Sequence, residues 1–195
     1  MEQLVRYRNN CWIAALALLA QCSEQRPNLQ TLNADSVELR ASQGILYVDG
    51  EAYSGTLYSL YENTIDTVEV RNYLQGKEDG IWRSYHANGR IQSVRYFNHG
   101  KKEGQYKAWW EDGSIRLDYN FSNDEYEGAV KDWSASGILT KNMHYRKGHE
   151  DGLQQQWDAT GKIWANYEAR NGRNYGITGV KACATLWKND SVSAH

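Results

Sequence analysis

A period of 24 residues runs through the chain from Gly76 onward without slipping. Gly76, Gly100, Gly148 and Gly172 mark one phase, with Asp124 in the remaining place, and Gly80, Gly104, Gly128, Gly152 and Gly176 mark a second. Three further columns keep the same spacing: Gly89, Gly113, Gly137 and Gly161; Tyr85, Trp109, Trp133 and Trp157; and Ile91, Ile115, Leu139 and Ile163. A period in this range means that each unit is one supersecondary element, too small to bury its own apolar face, so that neighbours must stack to make a core. Function is then to be sought on an extended surface before any pocket.

Within one unit the pattern is that of strands. Ile81, Arg83 and Tyr85 alternate with Trp82, Ser84 and His86, Ala87-Asn88-Gly89 supplies a turn, and Ile91, Ser93, Arg95 and Phe97 alternate again before Asn98-His99-Gly100. Asn and Gly accept the positive φ of tight hairpin turns. Each repeat therefore reads as a β-hairpin, and the expected fold is all-β, an elongated single sheet or solenoid of stacked antiparallel hairpins. The composition agrees, since 8 Trp, 14 Tyr and 17 Gly stand against a single Pro, and aromatic residues suit a pleated, half-buried surface. By column, the aromatic sets Tyr85/Trp109/Trp133/Trp157 and Tyr73/Phe97/Phe121/Tyr145, with the aliphatic set Ile91/Ile115/Leu139/Ile163, are expected to face the core. The sets Trp82/Tyr106/Val130/Gln154 and Ser84/Ala108/Asp132/Gln156 turn polar along the chain and are expected on a largely wet face.

The ends fall outside the period. Arg6 and Arg8 precede the apolar run Trp12–Ala20, which is nine residues long and too short to cross a bilayer as a helix. Residues 1–21 are read as a removed signal peptide. Leu19-Ala20-Gln21-Cys22 resembles a bacterial lipobox, which makes Cys22 the expected lipidation site, although Gln21 stands where a small residue is usual. Residues 22–36 are polar and are read as a flexible tether, 37–176 as the repeats with units near 50–75, 76–99, 100–123, 124–147 and 148–171, and 177–195 as a C-terminal cap and tail. Removal of Cys11 with the signal and lipidation of Cys22 would leave Cys183 without an intramolecular partner.

Asp79-Gly80-x-Trp82-x-x-Tyr85-x-x-Asn88-Gly89-x-Ile91 and Glu103-Gly104-x-Tyr106-x-x-Trp109-x-x-Asp112-Gly113-x-Ile115, with their later copies, resemble the MORN-repeat variant found in bacterial proteins grouped as YwqK-family antitoxins. The resemblance covers about residues 44–176, beginning with a unit at Tyr53–Tyr61 whose spacing is shifted. It implies stacked hairpins and a non-catalytic, interaction-type role.

The chemistry-bearing residues add little to this. A net charge of −2 gives no basic footprint for nucleic acid, and no nucleic-acid partner is expected. No hydrolase, zincin or phosphate-loop motif occurs. The five histidines, His86, His99, His144, His149 and His195, fall at unrelated phases. Catalytic residues, metal and cofactor are all expected to be none. Asp79, Glu103, Glu127 and Asp151 form an acidic column, read as residues that are solvated or bonded to turn backbone. Trp110 and Trp164 lie outside the core columns and, with Trp82 and Tyr106, are the expected surface-recognition residues.

The expected role is thus a non-enzymatic scaffold for an unidentified protein or cell-envelope ligand. It would be exported and held by its lipid at a bacterial membrane, the outer membrane or cell surface in a Gram-negative cell. The alternatives are an antitoxin-like, cytoplasmic protein that neutralises a partner toxin, and a lipid-binding module.

Overall fold

The structure, a computed structural model, describes residues 29–179. The signal-peptide reading, Cys22, Cys183 and most of the proposed cap lie outside these residues. The architecture is the expected one, a long and mostly antiparallel sheet of stacked hairpins that does not close into a barrel. Five hairpins follow one another: Gly55–Leu60 with Thr67–Leu74, Gly80–Tyr85 with Ile91–Asn98, Gly104–Trp109 with Ile115–Ser122, Gly128–Trp133 with Leu139–Arg146, and Gly152–Trp157 with Ile163–Arg170. A last strand, Arg173–Ile177, pairs with the fifth hairpin. Twelve strands in line at ~4.8 Å spacing make a sheet roughly 50 Å long.

The glycine columns are backbone devices. The turns between hairpins place two successive residues at positive φ, as in His99 (50°) with Gly100 (86°) and Lys147 (49°) with Gly148 (73°), the geometry of a tight turn that matches strand twist. Asp124 stands in that glycine column at φ 72°, and its Oδ1 accepts a hydrogen bond from the Lys102 N–H at 2.8 Å. A carboxylate that bonds the backbone offsets the strain of the left-handed conformation there.

Every hairpin carries a register shift at the same place. The pairing skips one residue between Ser84↔Ser93 and Tyr85↔Ile91, and likewise in the other four hairpins. The extra residues are Val68, Gln92, Arg116, Thr140 and Trp164, a column 24 residues apart. A bulge breaks strict alternation and re-aims side chains.

That device corrects the expected assignment of faces. Gly80 pairs with Phe97, Trp82 with Arg95 and Ser84 with Ser93, so the Trp82 and Ser84 columns share a face with the Phe97 column. This is the buried face: Tyr73, Phe97, Ala108, Phe121, Val130, Met143, Gln154, Ala165, Tyr167 and Ala169 are all buried. The Trp82 and Ser84 columns are therefore not a wet face. Tyr85, Trp109, Trp133 and Trp157, beside the bulges, are only half-buried, and Ile91 and Ile163 are each 41% exposed. The opposite face carries Lys107, Asp118, Lys131, Asn142, Gln155 and Asn166.

The two ends are finished differently. Gln30–Asn33, expected within a flexible tether, is instead a strand that pairs in parallel with Gly55–Tyr58. A small sheet of Leu39–Ser42, Ile45–Val48 and Glu51–Ala52 follows it. Val48, Tyr53, Leu57 and Tyr73 form a core there, joined by Leu32, Val37, Leu46 and Trp82. Gly76 is pressed against this cap: a Cβ on it would lie 2.4 Å from Ile45 Cγ2 and 2.7 Å from the Leu46 carbonyl oxygen. At the other end the repeats were expected to stop at 176, but the final strand runs to Ile177, and all five of its residues are exposed.

Candidate functional site

Across the buried face, the middle row of the first three hairpins alternates cation and ring. Arg71, Trp82, Arg95 and Tyr106 follow one another from strand to strand, because positions two before Tyr73 and Phe97 lie beside positions two after Gly80 and Gly104. The Arg71 guanidinium lies 5.1 Å from the centre of the Trp82 ring, and that of Arg95 lies 4.3 Å from the Tyr106 ring. Arg95 Nη2 also donates to the Tyr106 hydroxyl at 2.8 Å. Such contacts are worth about 0.5–2 kcal/mol each, more as water is excluded. Trp82 is fixed further by Phe97 and Tyr73, at 4.6 and 5.5 Å between ring centres, and by its indole N–H, which donates to the Asn72 carbonyl at 3.0 Å.

The next row is small. Ser84 and Ser93 share a hydrogen bond of 2.7 Å, and Ala108 lies beside them. Small side chains between long ones leave a groove of about 310 Å³, lined by Glu69, Arg71, Trp82, Ser84, Ser93, Arg95 and Tyr106 together with Arg83, Gln92 and Arg116. Arg116 is the bulge residue of the third hairpin, and its guanidinium sits 5.5 Å from the ring of Trp110. Arg71 pairs with Glu69; among the described residues Arg83, Arg95 and Arg116 form no ion pair. The Nε atoms of Arg71, Arg95 and Arg116 are buried without a hydrogen-bond partner. A second cleft, of about 150 Å³, shares Arg95 and Tyr106 and continues over Tyr119, Phe121 and Tyr126.

The expected recognition residues are thus distributed. Trp82 and Tyr106 meet in the groove. Trp110 is half-buried rather than a free surface ring, and its N–H donates to the Trp133 carbonyl at 3.3 Å. It repeats what Tyr61 and His86 do two hairpins and one hairpin earlier, where Tyr61 donates to the Tyr85 carbonyl at 2.7 Å and His86 Nε2 meets that of Trp109 at 3.0 Å. Trp164 is 46% exposed at the far end of the sheet, under Gly179, where a Cβ would come within 2.2 Å of its ring.

The acidic column is structural. The Asp79, Glu103 and Glu127 carboxylates each accept from the backbone N–H of the next turn, His99, Asn123 and Lys147, at 3.0, 2.9 and 2.8 Å. Asp151 instead pairs with Arg146 at 2.8 Å. The arginine groove was missed at the sequence level. Its signal was present in Arg71 and Arg95, one period apart, with Arg116 in the bulge column.

Residues 78–99 match the family model of the MORN repeat variant. No curated protein matches the chain at a significant level of similarity. The matched stretch is the second hairpin with its lead-in strand, and the other hairpins share its turns and bulge. One unit of the array thus matches a MORN-variant repeat, and the other hairpins share its backbone plan.

Proposed function

We propose that this chain is a non-enzymatic scaffold, exported and held at a bacterial membrane through lipidated Cys22, which engages a protein or envelope ligand through the groove of its first three hairpins. The observation that supports it is the row Arg71–Trp82–Arg95–Tyr106 with Arg116, where cations and rings converge on one open groove. Rings and arginines are the side chains that most often dominate recognition surfaces. MORN repeats are generally associated with protein or lipid interactions, which agrees with a scaffold and leaves the YwqK-type antitoxin role as a specific case, to be recognised by copurification of a toxin.

The test is photocrosslinking in cells from a residue in the groove, Gln92, and from one on the opposite face, Lys131. A discrete adduct from position 92 and none from 131 is expected; equal labelling, or none from either, contradicts the assignment of the face. Palmitate labelling that persists in Cys22→Ala would remove the proposed anchor.

A further inference from the structure

We propose that the groove between the first three hairpins is a phosphoryl-binding site, with Arg71, Arg95 and Arg116 as its ligands; this rests on the interaction role proposed above and names the chemistry of what is bound. Four arginines line the groove against one carboxylate, Glu69. That carboxylate is already engaged by Arg71, so Arg95 and Arg116 bring uncompensated charge to one place, whereas Arg83, in the column of Lys107, has the parity of the opposite face.

Arg95 and Arg116 are held by rings rather than by counter-charges, and Arg71 by a ring together with Glu69. Trp82 supports Arg71, Tyr106 supports Arg95 and Trp110 supports Arg116. Stacking on a ring fixes the plane of a guanidinium while leaving its donors free for a ligand, and the planar fork matches the edge of a phosphate. Among the described residues, the buried side-chain polar atoms without a partner are the Nε atoms of these same three arginines. For Arg95 and Arg116, which form no ion pair among the described residues, shielding one side of the guanidinium from water leaves its charge to be balanced from the groove. An anion there is the group that completes the site.

Several convergent guanidiniums suit a multiply charged tetrahedral oxyanion better than a single carboxylate. On the floor, one of the paired hydroxyls of Ser84 and Ser93 gives its proton to the other, and the second keeps one O–H donor of the kind that phosphate oxygens accept. The groove volume of about 310 Å³ exceeds that of one phosphate and falls at the lower end of small-molecule sites, roughly 300–1,000 Å³. The adjoining aromatic cleft shares Arg95 and Tyr106 and gives the organic part of a phosphate ester a contiguous place. Trp110 is a positioning residue here, acting through Arg116.

A soluble ester and a lipid headgroup both carry the phosphoryl group, and the test separates them. Full-length Cys22→Ala protein, which lacks the acylation site, is titrated calorimetrically with pyrophosphate. It is also floated with phosphatidylcholine vesicles with and without phosphatidic acid. Saturable binding in either arm is expected, weakening with salt and falling at least tenfold in R95Q/R116Q, with Lys131→Gln unchanged. Arg95→Lys/Arg116→Lys, which keeps the charge and removes the fork, should fall in between and guards against a folding defect in the glutamine variant. Binding of pyrophosphate assigns a soluble phosphate ester; arginine-dependent flotation with phosphatidic acid alone assigns a headgroup. No binding in either arm, or equal binding by R95Q/R116Q, overturns the site. A crosslinked partner at Gln92 with no phosphate response would keep the scaffold reading and discard this one.

Discussion

The first three hairpins and the last two share one backbone plan and fill it with different chemistry. In the same column stand Trp82, Tyr106, Val130 and Gln154. Toward the N-terminal end the face is a run of rings, Tyr53, Tyr73, Trp82 and Phe97 in successive contact, with arginines laid over them. Toward the C-terminal end it closes over small and polar groups. Ala165 and Gln154 are fully buried, and the Gln154 side chain donates to the His144 carbonyl at 2.7 Å and accepts from the His144 N–H at 3.2 Å. Turns, bulges and glycines thus set the frame, and the identity of one column decides whether a stretch of sheet is a sealed core or an open, charged groove. Function belongs where the frame is left open.

This contrast can be broken first at Trp82. Trp82→Ala should cost about 3 kcal/mol, since it removes a ring that joins the cap core to Phe97. Val130→Ala, in the same column, should cost about half of that. Urea denaturation measures both, and equal costs would mean that the aromatic stack is not what holds the N-terminal end. Gln154→Leu should lose about 2 kcal/mol despite its greater hydrophobicity, because it strands the His144 N–H and carbonyl. A stabilised Leu variant would show that the polar filling is incidental.

The alkaline limit probes both ends together. Burial, first among the causes, raises Tyr53, Tyr73, Tyr119, Tyr145 and Tyr167 above the ordinary phenol value. Tyr167 is pushed up to about 12, helped by its bonds to the Glu150 carboxylate. A raised phenol keeps its proton in the folded state while the unfolded chain loses it, so stability should be constant below pH 10 and decline from pH 10 to about 12. Denaturation midpoints read alongside tyrosinate absorbance test this, and a flat profile above pH 10 would contradict it. The smallest effect is expected at Arg116→Gln: with no ion pair to lose and one ring contact removed, stability should fall by about 0.5–1 kcal/mol by thermal melting.

Most of the fold was legible because its columns are independent statements of one period. The hairpins, the glycine turns and the backbone role of Asp79, Glu103 and Glu127 follow from spacing alone. The faces were not legible, for a physical reason. Residue identity alone puts the strong Trp109 and Trp133 column inside, whereas a bulge between Ala108 and Trp109, and between Asp132 and Trp133, breaks the alternation at that point. The parity of Gly80 with Phe97 would have put Trp82 on the buried face. The N-terminal cap was hidden because its parallel pairing has no period to announce it. The groove went unseen because Arg71, Arg95 and Arg116 come from three hairpins and meet only through the register of the sheet.

The central claim is that the frame carries stability while the groove carries function. Its direct measurement is the R95Q/R116Q chain, assayed side by side for thermal melting and for photocrosslinked adduct from position 92. A cooperative melting transition lowered only by the loss of two cation–ring contacts, with the adduct lost, is the predicted result. An adduct formed as in the parent, or a melting transition that collapses with the two charges, would contradict it.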